Sequence, residues 1–204
     1  KQMAASGKVV YNLTAGEPDY PVSPEIKKQV TAHLSENKYA PSAGLPLLRA
    51  AIAKRSADWY AAKWINVDNI IVTAGVKPAL YTTLLSLLNS GDEVIILTPA
   101  WVSYSHMVEL CGGKCVYVAL SKKFDIDIEA LKRAITPRTK AIIINSPHNP
   151  TGAVFSKSSL NEVAELMNKH KIYVIADDIY DRITYVPYPK ITDCGFDQDH
   201  LIIT

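Results

Sequence analysis

Two stretches of sequence decide the fold of this chain: Lys140-Ala-Ile-Ile-Ile-Asn-Ser-Pro-His-Asn-Pro-Thr-Gly152 and Ile172-Tyr-Val-Ile-Ala-Asp-Asp-Ile-Tyr180. Each begins as an apolar run and ends in polar residues. Nearly continuous apolar strands are typical of a parallel sheet that helices cover on both faces. Because the carboxyl ends of parallel strands meet at one edge, we expect the amide of Asn149, the carboxylate of Asp177 and the phenol of Tyr180 to lie along that edge.

The same pattern continues along the chain, where short apolar segments alternate with longer amphipathic ones. This alternation predicts an α/β fold with three layers, α/β/α, and a mostly parallel sheet. We expect strands over residues 69–73, 93–97, 114–120, 140–145, 172–176 and 200–204. We expect helices over residues 24–37, 45–63, 78–88, 103–111, 128–135 and 157–170.

Composition excludes several classes of protein. The 22 Lys and Arg residues nearly balance the 20 Asp and Glu residues, and no basic run exceeds two residues, which argues against nucleic acid or an acidic membrane as the main partner. The apolar runs are too short to span a bilayer, and the first eight residues show no apolar core of a secretory signal. Three cysteines form neither a disulfide framework nor a metal motif, so we expect free thiols in a reducing cytoplasm and no metal.

An amide, a carboxylate and a phenol that face one flat, nitrogen-containing ring would suit pyridoxal 5′-phosphate. A magnesium site of a P-loop NTPase would need Gly-x-x-x-x-Gly-Lys-Ser/Thr, and a dinucleotide fold would need Gly-x-Gly-x-x-Gly; the sequence contains neither. Gly75, Val76 and Lys77 precede a predicted helix, where free backbone N–H groups can bind phosphate. Taken alone, these residues have two interpretations: a phosphate site, or an ordinary turn between a strand and a helix that binds no ligand.

Four motifs occur together in the chain: Tyr39-Ala-Pro-Ser-Ala-Gly44, Pro99-Ala-Trp-Val102, Asn149-Pro-Thr-Gly152 and Asp177-Asp-Ile-Tyr180. In this order they resemble the class I aminotransferases, the fold-type I family of pyridoxal-phosphate enzymes, and in particular the aspartate aminotransferase type. The sequence departs from the family pattern at Val76 and Pro78, so contacts at residue 76 would be backbone only. Asp178 replaces the usual glutamate, and we expect a structural role for it.

The resemblance implies a role for each motif residue. Asp177 and Tyr180 would be catalytic, with Asp177 paired to the protonated ring nitrogen of the cofactor and Tyr180 and Asn149 on its phenolic oxygen. Trp101 would stack on the ring, and Gly75, Val76 and Lys77 would hold the phosphate. Gly16, Trp101 and Asn149 would contact the substrate. Tyr39 would reach the phosphate of a neighbouring subunit, which implies a homodimer with shared sites.

The resemblance also sets the expected domains and the extent of the chain. Residues 1–23 would be an N-terminal arm that starts the small domain, and residues 24–204 would be an incomplete large domain. The Schiff-base lysine and the carboxylate-binding arginine would follow Thr204, so we expect the chain alone to be inactive. A further strand would insert antiparallel between residues 69–73 and 200–204.

The function implied is transfer of an α-amino group from an amino acid to a 2-oxo acid, and the arm around Gly16 weakly favours aspartate or related acids. Three alternatives stay open at this point. The first is a lyase or synthase on the same fold, which would need no oxo-acid acceptor. The second is a sensor domain of a transcription regulator. The third is an inactive chain that acts as a partner subunit.

Overall fold

A computed structural model describes residues 2–7, 9–11, 16 and 20–204 of the chain. They belong to two compact units, Lys1–Ala40 and Pro41–Thr204. The predicted division after residue 23 into an arm and a large domain stays a prediction. None of the described helices is long and apolar enough to cross a membrane.

The first unit contains helices α1 (Gln2–Ala5) and α2 (Pro24–Ala32). The hydroxyl of Ser23 accepts the backbone N–H of Ile26, which caps the start of α2. The prediction that this helix runs to residue 37 was too long. The ring Nδ1 of His33 donates to the carbonyl of Gln29 at 2.7 Å, and this side-chain cap takes up a carbonyl at the helix end.

The second unit alternates helices and strands. Its helices are α3 (Pro46–Tyr60), α4 (Val76–Leu87), α5 (Ser103–Leu110), α6 (Ile128–Ala134) and α7 (Lys157–His170). Its strands are β1 (Glu93–Thr98), β2 (Lys114–Ala119), β3 (Thr139–Asn145), β4 (Tyr173–Asp177) and β5 (Leu201–Ile203). Short 3-10 turns cover Val67–Asn69, Ile191–Asp193 and Gln198–His200.

The five strands form one sheet in the order β2-β1-β3-β4-β5, and every neighbouring pair is parallel. Alternate residues of β1 enter two separate cores: Ile95 and Leu97 pack with residues of α6 and α7, and Val94 and Ile96 pack with residues of α4 and α5. Helices therefore cover both faces, which explains the continuous apolar strands. The predicted three-layer α/β/α fold is confirmed.

The predicted strand over residues 69–73 was wrong. The N–H of Val72 donates to the carbonyl of Ala43 at 3.0 Å, and the guanidinium of Arg49 bonds the carbonyl of Ile70 at 2.8 Å. None of the described strands pairs with this segment. An apolar run sets an extended backbone, but a strand also needs a hydrogen-bonded neighbour. A cleft of about 880 Å³ is lined by this segment and by β5.

The strand order places a topological switch point between β1 and β3. The chain leaves β1 towards β2 on one side, and β3, β4 and β5 follow on the other. Ligands of open α/β sheets bind outside the carboxyl ends of strands at such a point. Trp101 follows the end of β1, and Asn149 follows the end of β3. The topology therefore brings both residues to the edge where a ligand is expected.

Candidate active site

Asp177 is the last residue of β4 and lies opposite Asn145 in the register with β3. Its side chain is buried, with only 3% of the residue exposed. The hydroxyl of Tyr104 donates to Asp177 Oδ2 at 2.5 Å, and the N–H of Ile179 donates to Oδ1 at 3.4 Å. The carboxylate is therefore held firmly through one oxygen and only weakly through the other.

Asn145 joins the two loops that carry the candidate residues. Its Nδ2 donates to the carbonyl of Asp177 at 2.8 Å, and its Oδ1 accepts the N–H of Asn149 at 2.8 Å. No role was predicted for Asn145 from the sequence. The available signal was a polar side chain that ends an apolar strand one strand away from Asp177.

Asn149 and Tyr180 meet across the two loops, as their predicted site requires. Asn149 Nδ2 donates to the hydroxyl oxygen of Tyr180 at 3.2 Å. The first loop is fixed further by His148, whose Nδ1 lies 2.8 Å from the hydroxyl of Thr151. His148 is buried, and burial lowers its pKa, so the ring is neutral at pH 7. From the sequence, a solvated loop position was expected for His148; that expectation was wrong, because the side chain is buried and supports the loop through Thr151.

The buried carboxyl groups are electrostatically unusual. Burial raises the pKa of Asp177, and the hydrogen bond from Tyr104 opposes that rise. Burial, then the charge of Asp177, raises the pKa of Tyr104, so this phenol keeps its proton and acts as a donor. Asp178 accepts the hydroxyl of Tyr60 at 2.9 Å, and burial raises its pKa to about 6.

The candidate phosphate site lies at the start of α4. Gly75 precedes the helix with φ +100°, and a Cβ built there meets none of the described atoms within 4 Å. The first N–H groups of a helix have no partner inside the helix, so this turn offers donors to an anion. Pro78 was expected at the first helical position but is the third residue of the helix. A missing N–H is still harmless there, because the first turn has no carbonyl to bond.

Trp101 lies beside two other residues of the candidate site. The ammonium of Lys77 is 4.9 Å from the centre of the indole ring. The ring of Tyr104 packs edge-on against the indole, with centroids 5.4 Å apart and an angle of 86°. Lys77, Trp101, Tyr104 and Asp177 therefore form a continuous series of contacts. Tyr104 was missed from the sequence, where it was one of eleven tyrosines.

Gly16 and Tyr39 belong to the first unit, and their predicted roles stay predictions. Tyr39 is fully exposed, and a Cβ built on Gly16 meets none of the described atoms within 4 Å. Residues 12–15 and 17–19 of the arm lie outside the described residues. Among the described residues, no three His, Cys, Asp or Glu side chains form a group that could hold a metal ion.

Residues 8–200 match the family model described as aminotransferase class I and II. An aspartate aminotransferase of Geobacillus stearothermophilus is 43% identical over 91% of this chain and 48% of the relative. An aspartate/prephenate aminotransferase of Thermus thermophilus is 41% identical over 90% of this chain and 49% of the relative. The solved aspartate aminotransferase of Thermotoga maritima superposes with a TM-score of 0.94 at 36% identity, and covers 99% of this chain and 55% of that one.

A match over nearly the whole chain, together with a shared fold, defines the class of protein. The chain belongs to the class I and II aminotransferase family, as the motifs around Asn149 and Asp177 indicated. Its similarity is to the N-terminal portion of these proteins, and the chain spans about half the length of the curated relatives it matches. Within the family, several of the most similar relatives are aspartate aminotransferases.

Proposed function

We propose that the protein of which this chain is a part is a pyridoxal-phosphate-dependent aminotransferase that moves an α-amino group from an amino acid to a 2-oxo acid. The observation that carries the proposal is the hydrogen bond between Asn149 and Tyr180 at the carboxyl edge of the sheet, where Asp177 ends β4 and is tied to the Asn149 loop through Asn145. Amino-group transfer is also what the names of its relatives describe.

The described residues fit this cofactor. Asp177 offers an acceptor oxygen with spare capacity, since Oδ1 receives only a 3.4 Å bond. The turn at Gly75 leaves open space in front of a helix start, where a phosphate binds without a Cβ in the way. Trp101 supplies an aromatic face that contacts Lys77 of the turn and Tyr104, the partner of Asp177. A carboxylate acceptor, an aromatic face and an anion-binding turn match the ring nitrogen, the ring and the phosphate of pyridoxal phosphate.

When bound, the cofactor supplies a ring that accepts electrons from the substrate carbon. Asp177 would hold the proton on the ring nitrogen, and the bond between Asn149 and Tyr180 would set the two donors that face the phenolic oxygen. Val76 and Lys77 would bind the phosphate through backbone N–H groups, with Val76 contributing no polar side chain. The lysine that binds the cofactor covalently and the arginine for the substrate carboxylate would come from residues after Thr204.

We propose a dicarboxylic amino acid such as aspartate as the substrate. Relatives named aspartate aminotransferase support this choice, and one solved neighbour, the aspartate aminotransferase of Thermus thermophilus, carries maleate, a dicarboxylate. That neighbour is 38% identical, with a TM-score of 0.92 over 99% of this chain and 53% of that one. We further propose a cytoplasmic homodimer in which Tyr39 of one subunit reaches the phosphate of the other, and Gly16 contacts the substrate.

The test uses the full-length protein, incubated with pyridoxal phosphate and reduced with borohydride. We expect one pyridoxyl adduct per chain by intact mass, and amino transfer from aspartate that depends on an added 2-oxo acid. The variant Asp177→Asn should keep the fold and lose most of the transfer rate. A wild-type protein without an adduct would contradict the proposal. Product formation without any oxo-acid acceptor would instead favour the lyase or synthase of the same fold.

A further inference from the structure

Tyr104 contacts two residues of the candidate site at once. Its ring packs edge-on against Trp101, and its hydroxyl donates to Asp177 Oδ2 at 2.5 Å. Tyr104 itself is only 3% exposed, in the first turn of α5, and it belongs to the apolar core between α4, α5 and the sheet. Because the ring of Tyr104 is buried and closely packed, the packing of α5 fixes its contacts with both Trp101 and Asp177.

The hydroxyl of Tyr104 makes the two oxygens of Asp177 unequal. Oδ2 receives a short bond from a phenol that keeps its proton, and Oδ1 receives only the 3.4 Å bond from the N–H of Ile179. A carboxylate accepts about four hydrogen bonds in total, so Oδ1 keeps free acceptor capacity. A donor on an ionised carboxylate also stabilises the charged form, which burial alone would disfavour.

We propose that Tyr104 is a positioning residue of the cofactor site, which presents Asp177 Oδ1 to the ring nitrogen and keeps this carboxylate ionised. The inference rests on the proposed function. Without the phenol donor, Asp177 is free to rotate and more readily takes up a proton itself. A neutral carboxyl group no longer favours a protonated ring nitrogen, so loss of one hydroxyl at Tyr104 changes the charge of the bound cofactor.

Asp178, the residue after Asp177, has a tyrosine partner of its own that provides a matched control. The hydroxyl of Tyr60, from α3, donates to Asp178 Oδ2 at 2.9 Å, and both residues are buried. Tyr60→Phe removes the same atom from the same kind of bond, on the carboxylate next to Asp177. If Tyr104 has only a structural role, Tyr104→Phe and Tyr60→Phe should affect the bound cofactor equally. If Tyr104 positions Asp177, only Tyr104→Phe should change the protonation of the cofactor ring.

The experiment compares the full-length wild-type protein with Tyr104→Phe and Tyr60→Phe, each loaded with pyridoxal phosphate labelled with ¹⁵N in the ring. At fixed neutral pH, the ring ¹⁵N resonance of Tyr104→Phe should shift towards the position of an unprotonated pyridine, and that of Tyr60→Phe should stay at the wild-type position. The dissociation constant of the cofactor should rise about tenfold in Tyr104→Phe only. Equal ¹⁵N shifts in the two variants would overturn the inference.

Two further measurements separate the remaining outcomes. If Tyr104→Phe does not fold, 3-fluorotyrosine at position 104 keeps the shape and gives a more acidic phenol. The ¹³C titration of Asp177 in the apo-protein should then move to lower pH, and an unmoved titration overturns the inference. Tyr104 bonds this carboxyl group, the charges of Asp177 and Asp178 act on each other, and Tyr180 acts on the phenol of Tyr104. A wild-type protein that binds no cofactor overturns the proposed function. That result differs from equal ¹⁵N shifts in the two variants, which overturn only the role of Tyr104.

Discussion

Replacing Asn145 by alanine should release the connection between the two loops of the site. The substitution removes the donor to the carbonyl of Asp177 and the acceptor for the N–H of Asn149, both at 2.8 Å. Asn145 is 4% exposed, so water cannot easily replace its amide. Each buried backbone group left without a partner costs about 1–3 kcal/mol. Allowing for partial relaxation of the Asn149 loop, we expect a loss of about 3 kcal/mol in the free energy of unfolding.

The assay is chemical denaturation of the apo-protein, combined with amide hydrogen exchange at Asn149. Asn161→Ala, on the exposed side of α7, is the control and should change the stability by no more than about 0.5 kcal/mol. In Asn145→Ala the midpoint should fall at an unchanged slope, and the Asn149 amide should exchange about tenfold faster or more. The structural role of Asn145 is refuted if Asn145→Ala is as stable as Asn161→Ala, or if the Asn149 amide exchanges at the wild-type rate.

Three other substitutions test the surrounding structure. Gly44→Ala should lower the free energy of unfolding by about 2–4 kcal/mol, measured by thermal unfolding, because φ is +103° and the added Cβ would lie 2.6 Å from the side chain of Val72. Gly91→Ala, with φ +87° and none of the described atoms near its Cβ, is the control and should lower it by about 1 kcal/mol. Equal losses in the two variants would refute the clash at Gly44. The folded-state pKa of Asp178 is raised from 3.8 to about 6, so the stability that it contributes is present below pH 3.8 and is lost as the pH rises through about 6. In the wild-type protein the free energy of unfolding should therefore fall by at most about 3 kcal/mol between pH 4 and pH 7 because of this group, and Asp178→Asn should remove that fall. A variant with the wild-type pH profile would disprove this. Hydrogen bonds from Thr136 and Arg138 lower the pKa of Glu93, so the stability that Glu93 contributes is present above pH 4.5 and is lost as the pH falls. In Glu93→Gln the free energy of unfolding should therefore decrease less steeply at acid pH than in the wild-type protein. An unchanged decrease would show that these hydrogen bonds do not make the stability depend on pH.

Most of the sheet was predictable because its central strands β1, β3 and β4 are buried on both faces. A continuous run such as Val94–Leu97 has no solvent-exposed face to interrupt it, and turn residues mark both of its ends. Helix α7 was predicted with its observed bounds, and Ser156, one of the two serines expected to cap its start, does so. These signals are local and can be read from neighbouring residues.

Predictions that depended on distant partners were less successful. Residues 69–73 have the apolar pattern of a strand, but their backbone hydrogen bonds to the described chain are local ones at Asn69 and Ile70 and a single long-range one, from Val72 to Ala43. The roles of Asn145 and Tyr104 were also missed, because each acts through residues 4 to 73 positions away. No local pattern distinguishes a phenol that binds Asp177 from the other tyrosines of the chain.

The sequence by itself determined the fold class, the family motifs and the meeting of Asn149 and Tyr180, because strand ends of a parallel sheet must share one edge. It could not determine which oxygen of Asp177 is free, nor that Asn145 ties the two loops together. Only the tertiary structure decided those points. Hydrogen-bond partners are set by the packing of α5 and of neighbouring strands in three dimensions, and the residues that meet there are far apart in the chain.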